Sequence, residues 1–413
     1  MNIKLNYNDL TVGIKVNDAN VMDILSPRKV KTINETKVLR KALSIPLHKP
    51  PLERFLFDAK NTLVILNDAT KPSPTAKILV FLSRYIARDK FKFLIATGAH
   101  RPPTPSDLRL IFGKYFSRFA DRIFIHNAKR DEEMVYIGTT PRKTEVYINR
   151  LATESDKILV IGSVEPHYFA GYTGGRKAII PGIASYKTIE GNHRLALSSD
   201  ATSLKLDGNP VHEDIVDGLK LFKKEIFSIQ VVLNQDRKIY AARAGDIIDS
   251  HTQLLSKANN VFAVKAKAKA DIVATVAKPP WDINFYQSQQ AIENGRRTLK
   301  DGGILILVSS CKRGLGEGHY SEILSSCGTP REVIEKVNKE SYKLGAHKAK
   351  RIAELASRAE FWAVTDLPDE KTKKMFIKPY HNIQQAIDDA IASKGNRATI
   401  SFLPDGATTV PVV

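Results

Sequence analysis

Sulfur is scarce in this chain: Cys311 and Cys327 are the only cysteines in 413 residues. Two thiols cannot form a disulfide framework, so a reducing compartment is expected. No apolar run approaches the length that crosses a bilayer, and Met1 to Leu10 lacks the apolar core of a secretory signal. These absences make a soluble, cytoplasmic protein with no membrane role the expectation. Acidic residues are also in short supply, 44 against 63 Lys plus Arg, which leaves a formal charge of +19. Such an excess draws polyanions, yet the lysines are spread through every segment and the aromatic-interleaved basic stripes of RNA binders are missing. The densest runs, Lys265 to Lys269 and Lys371 to Lys374, read as solvated loops or a linker. A nucleic-acid partner is not expected; an anionic small-molecule ligand is. Also missing are internal repeats and any Gly-x-Gly-x-x-Gly turn followed by a ribose-binding acid.

What is present is an alternation. Short runs, mostly apolar throughout as in strands buried on both faces, recur at Asn2 to Tyr7, Leu10 to Val16, Thr62 to Leu66, Phe91 to Ala96, Arg122 to His126, Glu145 to Arg150 and Lys157 to Ile161. Thr75 to Ile86 and Pro105 to Phe112 read as helices between them, the second opened by Pro-Ser-Asp. Strands at Phe227 to Leu233 and Lys238 to Ala242 and a helix from Asp246 to Ala258 follow. After the Lys-Ala repeat the theme starts again, with strands at Asp271 to Val276, Gly303 to Val308 and Glu360 to Val364 and helices such as Tyr286 to Leu299, Gly345 to Ala356 and Ile383 to Ile391. This predicts two α/β domains with largely parallel sheets and an active-site cleft between them. Residues 1–262 form the cofactor-binding and catalytic domain and 270–396 the domain that closes the site. The last strand, Ala398 to Leu403, fits either, so that 397–413 can return to the first.

The segment richest in chemistry is His167-Tyr-Phe-Ala-Gly-Tyr-Thr-Gly-Gly-Arg-Lys177-Ala-Ile-Ile-Pro-Gly182, followed by His193. It combines an imidazole, a lysine nucleophile and a glycine turn. Gly171, Gly174, Gly175 and Gly182 allow positive φ and a close backbone approach to a ligand. Pro181-Gly182 reads as the opening of a helix from Ile183 to Leu197, whose free amide groups would suit a phosphate. Arg176 is a candidate to depress the neighbouring amine or to hold that phosphate, with a plain surface cation as the alternative.

Three further segments stand at strand ends, where sheets of this class gather function. They are Asn67-Asp68-Ala-Thr-Lys71-Pro, Thr97-Gly-Ala-His100-Arg-Pro, and Trp281-Asp-Ile-Asn-Phe-Tyr286-Gln287-Ser-Gln-Gln290. Together with the glycine-rich segment they resemble the nickel-pincer lactate racemase family, whose members interconvert enantiomers or epimers of 2-hydroxy acids. The resemblance spans nearly the whole chain, and its most specific part is Pro-His-x-Phe-Ala-Gly-Tyr-x-Gly-Gly-Arg-Lys with the downstream histidine.

The resemblance implies a cofactor: a pyridinium mononucleotide with two sulfur substituents that binds nickel through two sulfurs and a ring carbon. Lys177 would be its covalent anchor and His193 the protein's nickel ligand, completing the square plane that Ni(II) prefers. Gly174, Gly175, Arg176, Asp68, Tyr286 and Tyr342 would be cofactor contacts. His100 and His167 correspond to the two acid/base residues, one for each face of the substrate carbon, while hydride passes from C2 to the nickel-bound pyridinium carbon and back. Proteins that synthesise the cofactor are expected partners, besides the 2-hydroxy acid itself.

Lys71, Gln287 and Gln290 would meet the substrate, and two of them depart from the lactate-specific pattern. Lys71 stands where an arginine is usual and lacks its bidentate fork. Gln290 stands where a lysine is usual and offers an amide instead of a charge. A larger or more hydroxylated acid of the aldonate type is therefore expected as readily as lactate. His126, His212, His319 and His347 read as caps or surface groups. The rival readings are another nucleotide-dependent oxidoreductase and a non-catalytic anion- or nucleic-acid-binding protein.

Overall fold

The protein is described here by a computed structural model that covers every residue except 9, 33, 71, 72 and 87–89, and the side chains of residues 84 and 86. The chain forms two compact units, one from Lys29–Val261 and one from Met1–Arg28 with Phe262–Val413.

In the first unit, Leu63, Val64, Ile65 and Leu66 are each fully buried, because strand Thr62–Asn67 is covered on both faces. It sits in a six-stranded sheet whose spatial order is Ile239–Gly245, Glu225–Leu233, Lys157–Ser163, Thr62–Asn67, Phe91–Ala96 and Ile123–Ile125. All neighbours are parallel except the pair Glu225–Leu233 and Ile239–Gly245. On one face Val64, Leu66, Phe93, Ile95, Leu159 and Ile161 pack against Ile78, Leu79 and Leu82 of helix Thr75–Ile86 and against Phe112 of helix Pro105–Phe112. Thr104 and Asp107 form a capping box at the start of that second helix, which fixes its first turn. Each fully buried Leu, Ile or Phe here contributes about 1.5–3 kcal/mol. The consequence for function is positional: the loops after Lys157–Ser163, Thr62–Asn67 and Phe91–Ala96 leave the same edge of three adjacent strands.

In the second unit the sheet order is Ile377–Tyr380, Glu360–Val364, Leu299–Val308, Ala270–Val276, Ile400–Leu403 and Val21–Ile24, all parallel. The hairpin Asn2–Tyr7 and Leu10–Lys15 covers one face, burying Ile3, Leu5, Ile14 and Val16 against Ile272, Ile306 and Phe402.

The α/β class with two parallel-dominated sheets is as the alternation predicts. The boundary differs. Residues 1–28 do not join the segment that follows them, because Val21–Ile24 pairs with Ile400–Leu403 and the hairpin is buried on the second sheet. For the same reason 397–413 stays with the second unit. The Lys265 to Lys269 run is not a linker: Ala263–Lys265 pairs with Val410–Val412, and the Lys267 amide donates to Asp23. Glu145–Asn149 forms a separate hairpin with Met134–Thr139 and lies outside the six-stranded sheet. The helix expected from Ile183 begins at Tyr186, since Ser185, not the Pro-Gly step, caps it by accepting from the Thr188 amide.

Candidate active site

Asp68 leaves the end of its strand buried, and its carboxylate is fully engaged. Oδ1 accepts from the Thr70 hydroxyl at 2.7 Å and from the Thr70 amide at 3.2 Å, while Oδ2 lies 2.8 Å from Nδ1 of His100. Beside a carboxylate, Nδ1 must be the protonated nitrogen of His100. Nε2 is then the basic one. Asp68, expected at the cofactor, is seen to orient the His100 ring.

His167 is arranged the other way round. It lies on the two-residue strand Pro166–His167, paired with Gly171–Tyr172, and the turn between them points the Ala170 amide at its Nδ1 from 3.3 Å. Nδ1 accepts, so the neutral ring carries its proton on Nε2.

Phe169 is the hub that sequence reasoning quoted without assigning. Its buried ring stands edge-on to His167 with centroids 4.5 Å apart and edge-on to His193 at 5.0 Å, and the Lys177 ammonium lies 5.4 Å from its centroid. One aromatic ring therefore collects three predicted site residues. Its place in the quoted motif was the available signal. Lys177 is buried on a short 3₁₀ turn, Gly175–Ala178, and His193 occupies the last turn of helix Tyr186–Arg194, bonded to the Asn192 amide oxygen at 3.2 Å. The two loops are stitched together where the Gly98 amide donates to Gly182 and the Gly182 amide to Lys177.

The remaining expectations for this segment change. Arg176 is 1% exposed and points inward: Nη2 donates to the carbonyls of Ala170 and Tyr172 at 3.2 and 3.4 Å, and Nη1 lies 2.9 Å from Nε2 of His251, which also meets the Thr173 carbonyl at 2.9 Å. Burial holds its guanidinium down at about 9. It is neither a surface cation nor a phosphate clamp but a staple under the glycine turn, and the turn carries His167 and Lys177. Gly174 does take a positive φ, +82°, yet the room a side chain would fill is filled by protein: a Cβ there would come within 2.6 Å of the Ser163 carbonyl. Gly175 likewise faces His251, and its amide donates to Gln230 at 2.8 Å. The amides of Tyr186 and Thr188 at the helix start are bonded to Ala128 and Ser185, so that end is not the expected open phosphate site.

Of the other histidines, His126 is buried, donating from Nε2 to Ala184 at 2.9 Å and accepting at Nδ1 from Asn149 at 3.3 Å, and burial pushes it down to about 4. Burial and then the Arg176 charge push His212 to about 3. His100 also lines a cavity of about 690 Å³ with His126, Asn127, Arg130, Asn149 and Arg150.

In the second unit, Tyr286, Gln287 and Gln290 lie on helix Phe285–Gly295, capped by Asn284 through the Gln287 amide. Gln290 is buried. The Tyr342 hydroxyl is hydrogen-bonded to Nδ1 of His347 at 2.7 Å and its ring stacks on the imidazole, so His347 is a buried partner rather than a surface group. Lys71 lies outside the described residues.

The Lactate racemase N-terminal domain family matches residues 7–204 and the Lactate racemase C-terminal domain family residues 264–411. A lactate racemase of Thermoanaerobacterium thermosaccharolyticum is 30% identical over 99% of both chains, and one of Lactiplantibacillus plantarum is 30% identical over 98% of both. The solved lactate racemase apoprotein from the former organism superposes over the full length of both chains with a TM-score of 0.92 at 29% identity. A crystal structure of a Thermotoga maritima protein shares the fold, with a TM-score of 0.72 at 16% identity over 92% of this chain and 98% of that one. Matched in both domains and along nearly its whole length, the chain belongs to the lactate racemase family and is an isomerase.

Proposed function

We propose that this isomerase inverts the carbinol carbon of a 2-hydroxy acid, with His100 and His167 handling the hydroxyl proton and a nickel-pincer nucleotide anchored by Lys177 and His193. The observation that carries the reading is the opposite bonding of the two imidazoles. His100 is held with Nε2 basic by Asp68, and His167 with Nε2 protonated by the Ala170 amide. Enantiomers present their hydroxyl groups to opposite sides, so inversion needs one such group for each side.

The residues fit the cofactor. A buried amine, Lys177, and an imidazole, His193, both meet the Phe169 ring. Among the described residues no group of three or more His, Cys, Asp or Glu could hold a metal, so an ion at His193 would take its other donors from the nucleotide. When bound, the nickel nucleotide supplies the acceptor for the C2 hydride. The chain's own residues do the rest. Nε2 of His100 takes the hydroxyl proton while Asp68 steadies the resulting imidazolium, and His167 serves the opposite face. Arg176 keeps the intervening turn in shape.

For the substrate, Lys71 offers a point charge and Gln290 an amide that both donates and accepts. Both favour a larger, hydroxylated acid of the aldonate type over lactate. The reading carries with it a cytoplasmic location and partner proteins that make the nucleotide.

The test uses protein from its native host, weighed intact and analysed for nickel, then screened against 2-hydroxy acids for chiral scrambling. Substrate deuterated at C2 should keep most of its label in the inverted product. Complete loss of that label to water would replace the hydride reading with proton abstraction at carbon.

A further inference from the structure

Lys348 sits in the first turn of helix Ala346–Ala356 and is only 6% exposed. Its ammonium makes two contacts with one residue. Nζ donates to the Tyr286 carbonyl at 2.6 Å and stands 3.3 Å from the centroid of the Tyr286 ring. The same ring meets Tyr320 edge-on at 5.4 Å, and the Tyr286 amide donates to Leu315 at 3.0 Å. Gly316 passes so close that a Cβ there would lie 2.6 Å from Cβ of Tyr286. Tyr286 is therefore fixed at its amide, its carbonyl and its ring, and Lys348 supplies two of these three.

The charged groups around the amine are accounted for. Glu293, about two turns along the helix from Tyr286, is bonded to Arg351 at 3.0 Å and lies 3.4 Å from Arg296. Glu317 accepts from the Tyr320 amide at 2.8 Å as the cap of helix Gly318–Ser325. Helix Pro330–Lys339 turns the apolar Val333 and Val337 inward, and His347 is bonded to Tyr342. Burial drives the Lys348 amine well below its ordinary value, against the pull of Glu293 and Glu317. A ring face favours the ammonium form and is indifferent to the neutral amine.

We propose that Lys348 is a positioning residue of the active site: its ammonium clamps Tyr286 by ring and carbonyl together and so sets the presentation of the turn that carries Tyr286, Gln287 and Gln290. The clamp itself is local to this unit. Its effect on turnover rests on the reading that Tyr286 and Gln287 meet cofactor and substrate. A neutral amine can still donate to the carbonyl but releases the ring, so the clamp loosens as pH rises through the Lys348 midpoint.

Two replacements separate charge from bulk. Lys348→Arg keeps a cation, and Lys348→Met keeps the length without one. In full-length protein with ¹³C-labelled tyrosine rings, the Tyr286 signal, identified by its loss in Tyr286→Phe, should titrate with pH in the wild type. It should stay near the wild-type position in Lys348→Arg, and shift and cease to titrate in Lys348→Met. In turnover, Lys348→Met should raise KM about tenfold with kcat little changed, and Lys348→Arg should restore it. A Tyr286 signal that is flat with pH in the wild type, or that superposes between wild type and Lys348→Met, overturns the clamp whether or not the protein racemises anything. A titrating signal with KM unchanged overturns its role in catalysis. Should Lys348→Met fail to fold, the wild-type titration decides the first point and Lys348→Gln the second.

Discussion

Asp68→Asn is the most informative single change, because it keeps the shape of the side chain and removes only its charge. The amide oxygen can still accept from the Thr70 hydroxyl and amide, as Oδ1 does now at 2.7 and 3.2 Å, so the loop should hold. What is lost is the carboxylate 2.8 Å from Nδ1 of His100. A hydrogen bond to a charged group contributes about 1.5–3 kcal/mol, and the bond here strengthens when His100 becomes an imidazolium. At about 1.4 kcal/mol per decade, kcat should fall roughly ten- to a hundredfold. Progress from each enantiomer of the substrate, followed by chiral chromatography, measures the drop in both directions; a thermal melt of the same preparation controls for folding. An Asn variant that keeps more than half of wild-type kcat would refute the idea that Asp68 works through His100. So would a loss of activity that merely tracks a fall in Tm.

Other expectations follow from the same site. Lys177→Ala should abolish the covalent mass increment of the cofactor, whereas His193→Ala should keep the increment and lose nickel, as intact mass and metal analysis would read; full cofactor and nickel in both variants would contradict the assignment. Phe169→Leu should keep the apolar volume yet lower kcat about tenfold, since the ring that His167, His193 and Lys177 share is gone; unchanged kinetics would make the ring a bystander. His126 is held neutral at about 4 against 6.5 unfolded, so the unfolded chain binds the extra proton between those values. Stability from this group is complete above pH 6.5 and is lost as pH falls toward 4, by about 3 kcal/mol in all. Thermal melts at pH 7 and pH 5 should show it, and His126→Asn should flatten the difference.

The central strands were legible because most are unbroken apolar runs, the pattern that burial on both faces leaves. Which sheet a strand joins is not written locally. Val21–Ile24, broken by Asp23, is not among the expected strands, and only pairing with Ile400–Leu403 and burial of the hairpin on that sheet assign the segment. Helix Pro210–Leu221 went unread although Asn209 caps it and Pro210 opens it, since its apolar stripe is thin. At the site, the residue types were legible through the motif but their directions were not. Arg176 and Lys177 are neighbours in sequence, yet one guanidinium turns inward to carbonyls and the other amine toward Phe169. Lys348 was hidden by its company, a basic stretch in which burial of one lysine leaves no compositional trace.

The strand Val21–Ile24 has a consequence for how the chain is made. Its partner, Ile400–Leu403, is synthesised hundreds of residues later, and at roughly 5–20 residues per second the wait lasts tens of seconds. Through that interval Ile3, Leu5, Ile14 and Val16 have no sheet to cover, while Lys29–Val261 already holds all six strands of its main sheet and can close first. The nascent protein therefore carries an uncovered apolar hairpin while the unit that follows it is already closed. Two points of crossing, near residues 28 and 261, tie that unit in. A protease would need both cuts to release it, and the two pieces left behind would be held together only by the Val21–Ile24 pairing and the buried hairpin.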